Sequence, residues 1–210
     1  MIDREGIPFI LAGLLIAVAG GLASWPLALP GVVLTVFFVN FFRDPARRVP
    51  PGENAVSPAD GRVIAVKGLD PAANEGYVQF ISIFMNVLDV HVNRSPVPGR
   101  VLEYRHCPGK FLPAYAERAP FENERNVIVV EGAHGRLRFS QVAGILARRI
   151  VFRKRVGDTL EKGDRIGMIR FGSRVDIWLP AGLVAAVKPG DRVRAACTII
   201  ATKKTDNGNH

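Results

Sequence analysis

The pair Gly172-Ser173, within Arg170-Phe171-Gly172-Ser173-Arg174, could carry out chemistry on its own peptide bond. A serine hydroxyl that attacks the preceding carbonyl converts the amide into an ester. Elimination of the ester and hydrolysis of the resulting dehydroalanine would leave a pyruvoyl group and ammonia. Glycine suits the position before the serine, because a residue without Cβ can adopt the strained backbone that this attack needs. Gly-Ser is also a common turn dipeptide, so the pair indicates this chemistry only together with a base.

Two further segments could supply that base and a carboxylate to orient it. Asp60 lies in Ser57-Pro58-Ala59-Asp60-Gly61, and His91 lies in Asp89-Val90-His91-Val92-Asn93-Arg94-Ser95-Pro96. A carboxylate that holds one imidazole nitrogen leaves the other free to take a proton from a serine. Each residue also has a simpler interpretation. Asp-Gly is typical of a turn, and a single histidine in an apolar strand is typical of a satisfied core side chain.

The part of the chain that must position these residues has the pattern of short strands separated by turns. Runs rich in β-branched residues, bounded by Gly, Pro, Asp and Asn, occur at 63–66, 78–83, 127–130 and 165–169. We therefore predict a mainly β domain over residues 43–202. A short helix is expected at 111–119, and a disordered polar tail at 203–210.

Internal repeats refine the predicted fold. Residues 57–63 return in similar form at 95–101, and residues 162–166 resemble residues 189–193. Such Gly-Asp-turn repeats resemble the flattened β-barrel of biotinyl and lipoyl carrier domains. The predicted domain is therefore a flattened barrel or sandwich of this hybrid kind.

Two uncharged apolar runs precede this domain, at residues 7–25 and 26–42. Each could span roughly 27 Å as a helix at 1.5 Å per residue, close to the ~30 Å thickness of bilayer hydrocarbon. Residues 1–42 are thus predicted to form an apolar helical hairpin that anchors the chain in a membrane. A cleaved signal peptide is the competing interpretation, but the start of the chain is not basic and a second apolar run follows directly.

The distribution of charge predicts the orientation and the partners. Arginines at 43, 47 and 48 follow the second run, which places the domain on the cytoplasmic side of the cell membrane. The net charge of +9 lies partly in residues 148–155, a basic cluster that could attract anionic lipid. Nucleic acid is not expected, because no aromatic-interleaved basic stripe is present. Cys107 and Cys197 are too far apart in sequence to indicate a disulfide or a metal site.

Taken together and in order, five motifs resemble those of the phosphatidylserine decarboxylases in their short bacterial or archaeal form. The resemblance runs from about Phe41 onward, over most of the chain. The motifs are Phe42-Arg43-Asp44-Pro45, Ser57-Pro58-Ala59-Asp60-Gly61, Asp89-Val90-His91, Asn123-Glu124-Arg125 and Gly172-Ser173.

This resemblance implies a function and its residues. Ser173 would become a covalent pyruvoyl cofactor after self-cleavage, assisted by Asp60 and His91. The products would be a large β chain, residues 1–172, and a small α chain, residues 173–210. The mature enzyme would decarboxylate phosphatidylserine to phosphatidylethanolamine and CO₂ through a Schiff base on the pyruvoyl group. A homo-oligomer is compatible with this assignment.

Two positions depart from the family pattern. Longer members have a second histidine three residues after the first, whereas this chain has Arg94 there. Arg94 is therefore a candidate for binding the substrate phosphate, and His91 would serve both maturation and decarboxylation. The cleavage motif is Phe-Gly-Ser-Arg where many members have Leu-Gly-Ser-Thr. The apolar residue and the Gly-Ser pair are retained, so we expect cleavage to survive.

Two other functions remain open from the sequence. One is a membrane-tethered, non-enzymatic carrier or adaptor domain of the biotinyl or lipoyl fold. Carrier domains present a modifiable lysine, usually between methionines, and Met168 has no lysine beside it. The other is a pyruvoyl decarboxylase of a soluble amino acid. The apolar hairpin argues against that function, because a soluble substrate gives no reason to hold the site at a bilayer.

Overall fold

The computed structural model describes residues 1–116, 118–145, 149–170 and 172–204. Within these ranges a pair of amino-terminal helices precedes a β-rich body. The helices are α1 (Ile7–Ala23), α2 (Ala28–Phe41) and α3 (Ala119–Glu122). The strands are β1 (Ala55–Val56), β2 (Gly61–Gly68), β3 (Tyr77–Met85), β4 (Val92–Arg94), β5 (Gly99–Cys107), β6 (Arg125–Gly132), β7 (Gly135–Ala143), β8 (Ile150–Phe152), β9 (Thr159–Leu160), β10 (Arg165–Ile169), β11 (Ser173–Pro180), β12 (Leu183–Ala185), β13 (Arg192–Val193) and β14 (Ile199–Lys203).

The apolar amino-terminal runs form the predicted helical hairpin. Pro30 lies in the first turn of α2, where a missing N–H breaks no helical hydrogen bond. The two helices approach so closely at Gly31 that a Cβ there would overlap the backbone of Ala17. The helical stretch Arg4–Ala23, 20 residues long, has the length and composition to cross a membrane, and Trp25–Phe41 is shorter.

The body of the molecule is a curled, half-barrel sheet with strand order β13-β2-β3-β11-β7-β6-β5-β9. The strand pairs in the sheets are antiparallel, and two three-stranded sheets, β1-β14-β12 and β4-β10-β8, complete the body. Alternate residues of each central strand point into the core, as Ile81 and Ile83 of β3 and Val175 and Ile177 of β11 do. The predicted mainly β fold with an amino-terminal hairpin is confirmed.

The sheet register carries Ser173 into the core. Ser173 is the first residue of β11 and pairs with Met85 on one side and Ala143 on the other. A second pairing, between β10 and β4, sets Met168 beside Val92. The segment that contains His91 therefore lies next to the strand that leads into the Gly-Ser pair.

The predictions at two chain segments need adjustment. The helix expected at 111–119 is wrong, because residues 111–116 form no helix and α3 begins at Ala119. Pro120 occupies the first turn of α3, which is where proline starts a helix rather than ends one. At the carboxyl end β14 continues through Lys203, while residues 205–210 of the predicted tail lie outside the described residues. Phe171 and Arg148 also lie outside them.

Candidate active site

Ser173 and Gly172 have the geometry of a held nucleophile and a permissive backbone. Ser173 is fully buried, and its Oγ donates to Sδ of Met85 at 3.2 Å. Gly172 has φ +63°, in the left-handed region that favours glycine. A residue with a Cβ would be strained in this conformation, so the backbone at position 172 favours glycine.

Gly144 is a site residue that the sequence analysis missed. A Cβ at this position would overlap the carbonyl oxygen of Gly172, so this carbonyl lies directly against the Gly144 backbone. A glycine directly after an apolar strand often marks such a close approach, and that was the available signal. The side chain of Ala114 also lies against the position that a Cβ of Gly144 would occupy.

His91 is a buried, neutral imidazole with one free nitrogen. Its Nδ1 lies 2.9 Å from the carbonyl oxygen of Asp89. A carbonyl only accepts, so Nδ1 carries the proton and Nε2 bears the lone pair. Nε2 is buried and has no hydrogen-bond partner among the described residues. Burial lowers the pKa of His91 to about 4, outweighing the opposing effect of the Asp89 hydrogen bond. His91 is therefore an uncharged base at neutral pH.

The ring of Phe41 covers this imidazole, with the ring centroids 4.1 Å apart. Phe41 and Phe42 are both fully buried and pack with Val90, Val92 and Met168. The predicted anchor extends to residue 42, yet its last two residues contact the β body. The base of the hairpin therefore forms one wall of the histidine site.

Asp60 forms hydrogen bonds with Arg47 and Ala195 instead of His91. Its carboxylate accepts two hydrogen bonds from Nη2 of Arg47, at 2.9 and 2.8 Å, and one from the backbone N–H of Ala195 at 2.8 Å. These contacts fix the turn at 57–61 to the chain after the hairpin and to the residues after β13. Among the described residues no hydrogen bond joins Asp60, His91 and Ser173 directly, so their shared catalytic role stays a prediction.

The three predicted residues nevertheless come from segments that meet at one end of the main sheet. Asp60 precedes Gly61, which packs on the carbonyl of Phe84, one residue before the Ser173 partner Met85. The carbonyl of His91 accepts from Ile169 N–H of β10 at 3.4 Å. The structure thus brings the three segments together without a direct hydrogen bond between these side chains.

Arg94 is buried and engaged in ion pairing. Its Nη2 donates to Oδ1 of Asp44 at 2.6 Å, and its Nη1 donates to the carbonyl of Gly163 at 3.1 Å. Asp44 also pairs with Arg165. These contacts tie the 42–45 motif to the start of β10, so Arg94 could bind a phosphate only by giving up Asp44. Substrate binding by Arg94 remains a prediction.

Asn123 explains the 123–125 motif. Its Nδ2 donates to the carbonyls of Leu112 and Ala143, both at 2.8 Å, and its Oδ1 accepts from Leu112 N–H at 2.9 Å. The side chain therefore clamps the segment around residue 112 to the end of β7. That segment includes Ala114, which would meet any Cβ added at Gly144.

Comparison with known proteins assigns this β-rich chain, with its buried serine and neutral histidine, to a family. The family model for phosphatidylserine decarboxylase matches residues 34–201. A phosphatidylserine decarboxylase proenzyme of Ralstonia nicotianae is 47% identical over 209 residues, covering 96% of this chain and 95% of the relative. The corresponding proenzyme of Solidesulfovibrio magneticus is 48% identical over 205 residues, covering 95% of each chain. That of Burkholderia cenocepacia is 48% identical over 209 residues, covering 96% and 95%.

The chain therefore belongs to the phosphatidylserine decarboxylase family, and it is an enzyme, a lyase of phospholipid biosynthesis made as a proenzyme. The resemblance seen in the five sequence motifs is confirmed.

Proposed function

We propose that this chain cuts itself between Gly172 and Ser173 and then decarboxylates phosphatidylserine to phosphatidylethanolamine and CO₂. The observation that carries the proposal is that the Ser173 hydroxyl is buried and directly follows Gly172, whose backbone has a left-handed conformation. The neutral His91, whose Nε2 has no partner among the described residues, supports the proposal as a candidate base.

The proposed cleavage uses only the groups of the chain and one water molecule. His91 Nε2 takes the hydroxyl proton, Oγ bonds to the Gly172 carbonyl carbon, and the C–N bond breaks as the Ser173 nitrogen gains a proton. Loss of the Ser173 Cα proton then breaks the Cβ–Oγ bond, releases Gly172 as a carboxylate and leaves dehydroalanine. Its Cβ takes up a proton, which gives an imine with a methyl group. Water hydrolyses the remaining imine, so that ammonia leaves and residue 173 becomes the pyruvoyl group.

The residues around position 173 fit this group. Cβ of the serine becomes a methyl group in the conversion, and the thioether of Met85 already lies beside it, which suits an apolar methyl as well as a hydroxyl. The pyruvoyl group would supply a ketone that forms a Schiff base with the substrate amine and accepts electrons as CO₂ leaves. Nε2 of His91 would take a proton from the substrate ammonium as it condenses with the ketone, and would return it to the carbon that loses CO₂.

The hairpin would bring this site to its lipid. Most apolar side chains of α1 and α2 are exposed, which suits a bilayer rather than water. We propose that the hairpin inserts and that the β body lies on the cytoplasmic side, because the arginines follow α2. Arg153 of the basic cluster binds Asp3 through both terminal guanidinium nitrogens, Nη1 and Nη2, at 2.7 and 2.6 Å. This side chain therefore holds the base of the hairpin and does not bind lipid.

Ser173 variants test the proposal. Ser173→Ala has no hydroxyl to start the acyl shift and should remain one uncut, inactive chain on a denaturing gel. Ser173→Cys should cut slowly, because a thiol can make the same shift. Borohydride added with phosphatidylserine should trap the lipid amine on the small chain of wild-type protein, and no adduct should form with Ser173→Ala.

The outcomes separate the remaining alternatives. Uncut wild-type protein that decarboxylates the lipid would contradict the pyruvoyl mechanism. Uncut and inactive wild-type protein would favour a carrier or adaptor domain. A cut enzyme that decarboxylates free serine and leaves phosphatidylserine untouched would favour a soluble substrate.

A further inference from the structure

A chain of buried amides leads through the core to Ser173. Asn126 Nδ2 donates to Gln141 Oε1 at 3.3 Å, and Gln141 Nε2 donates to Asn93 Oδ1 at 2.8 Å. Asn93 Nδ2 then faces Sδ of Met85 at 3.8 Å, the same sulfur that accepts the hydroxyl of Ser173. All five side chains are at most 1% exposed.

The Met85 sulfur at the near end fixes the direction of every amide, because a thioether can only accept. At the far end, Asn126 Oδ1 then accepts from the hydroxyl of Tyr104 at 3.3 Å and lies 2.9 Å from Nδ1 of His106. At the near end, the Met85 sulfur has no proton to give. Both Asn93 and Ser173 must therefore donate to it, which leaves the Ser173 hydroxyl with its proton on the sulfur side.

Three amides in this position are not explained by packing. The neighbouring core positions of the same sheet carry apolar residues such as Ile83, Phe139 and Val175. A buried amide costs free energy unless its hydrogen bonds are made, and an apolar side chain of similar volume avoids that cost. The arrangement thus keeps polar groups where stability alone does not need them.

We propose that Asn93, held by Gln141 and Asn126, is a positioning residue for self-cleavage. It fixes the Met85 thioether, which in turn holds the Ser173 hydroxyl as a donor with its lone pairs uncommitted. Because a thioether is a weak acceptor, the proton can pass to the stronger acceptor, His91 Nε2, when attack begins. The inference rests on the proposed cleavage at Gly172-Ser173.

A double-mutant cycle tests whether Asn93 acts through Met85. Full-length protein is synthesised in a cell-free system with phospholipid vesicles, pulse-labelled, and followed by gel for conversion to two chains. Asn93→Leu and Met85→Leu keep similar volume and should each slow cleavage by about 100-fold, the effect of a small misplacement of a reacting group. The double variant should be no slower than either single variant, because both remove one and the same arrangement.

Controls separate positioning from stability. Ser95→Ala removes another buried hydroxyl of the same segment, one that donates to the carbonyl of Val97, and should cleave like wild type. Asn126→Leu is the remote variant, to be used if Asn93→Leu does not fold, and should slow cleavage by about threefold to tenfold. Thermal unfolding of each variant is measured in the Ser173→Ala background, where every chain stays uncut.

Three results would overturn the inference. Asn93→Leu could cleave at the wild-type rate, the two single effects could multiply in the double variant, or the loss of cleavage could simply follow the loss of thermal stability. A wild-type chain that stays uncut would instead overturn the proposed function, so the two failures are distinguishable.

Discussion

The hairpin and the β body are both rich in apolar side chains, but they bury them to very different extents. Leu15 and Leu22 of α1 are 70% and 85% exposed, whereas Ile83 and Ile177 of the sheet are fully buried. Exposed apolar surface costs about 25 cal/mol per Å² in water. The body thus buries its apolar side chains in its own core, whereas the hairpin exposes the apolar surface that the proposed membrane anchor needs.

The two regions meet at His91. Phe41, the last residue of α2, lies on His91, and Asp3, ahead of α1, pairs with Arg153 of the body. Glu5 pairs in the same way with Arg170, close to the Gly-Ser pair. The base of the anchor is thus part of the site, although the remainder of the anchor is not.

The largest effect is expected at this junction, from His91→Ala. Loss of the only base that we assign should slow self-cleavage at least about 10³-fold, as for other nucleophile-base pairs. Pulse-labelled full-length protein followed on a denaturing gel measures the rate. His134→Ala, which removes a histidine in the turn between β6 and β7, is the matched control and should cut within about threefold of wild type. Normal cutting of His91→Ala would assign the maturation base elsewhere.

Two deletions should separate the anchor from its base. Replacing residues 12–34 with a short Gly-Ser linker keeps Phe9, Phe37, Phe38, Phe41 and Phe42, which pack at the body. This variant should be released from membranes and still cleave itself. Deleting residues 7–42 should also release the protein, but should slow cleavage by about 100-fold because His91 loses its cover.

Sedimentation with vesicles and gel analysis of cleavage read out both properties. The intact chain should stay with the vesicles in high salt, because salt screens ionic attraction and not apolar insertion. Complete release of intact protein by salt would show that surface charge alone holds it. If the two deletion variants cleave at the same rate, Phe41 does not contribute to the function of the site.

A smaller effect is expected from Asp60→Asn. The asparagine keeps one acceptor for Arg47 or Ala195 N–H, so the turn should loosen rather than fail. We expect cleavage to slow by about tenfold, or ~1.4 kcal/mol in the barrier. A loss as large as that of His91→Ala would mean that Asp60 acts directly on the imidazole in the reacting state.

The smallest change is in the pH profile of cleavage. Since the pKa of His91 is lowered to about 4, the free base is present throughout the neutral range. The cleavage rate should be flat from about pH 5 to 8 and fall only as pH approaches 4. A midpoint near pH 6.5, the ordinary histidine value, would show that the imidazole is solvated.

The same shift predicts how stability depends on pH. Between pH 6.5 and about 4 the unfolded chain binds the proton and the folded chain does not. The contribution of His91 is therefore fully present above pH 6.5 and is lost as pH falls towards 4, by roughly 3 kcal/mol. Denaturant unfolding of the uncut Ser173→Ala chain, with and without His91→Gln, measures this difference.

Local sequence patterns predicted the strands and the candidate site residues, but not the residues that those side chains contact. β-branched runs located β2, β3, β6 and β10, and the Gly-Ser pair drew attention to Gly172, which has φ +63° in the structure. The contacts of Asp60 with Arg47, and of Ser173 with Met85, depend on strand register between distant segments. No local pattern encodes that register, so the sequence suggested Asp60 as the partner of His91 where the structure has the carbonyl of Asp89.

The central claim is that Ser173 is consumed to make the cofactor, and the intact mass of the purified wild-type protein tests it most directly. The account predicts two chains, residues 1–172 with an ordinary carboxyl end and residues 173–210 beginning with a pyruvoyl group in place of serine. The second chain should resist Edman sequencing, because it has no free amine. A single chain of 210 residues with an intact serine, in protein that decarboxylates phosphatidylserine, would contradict the account.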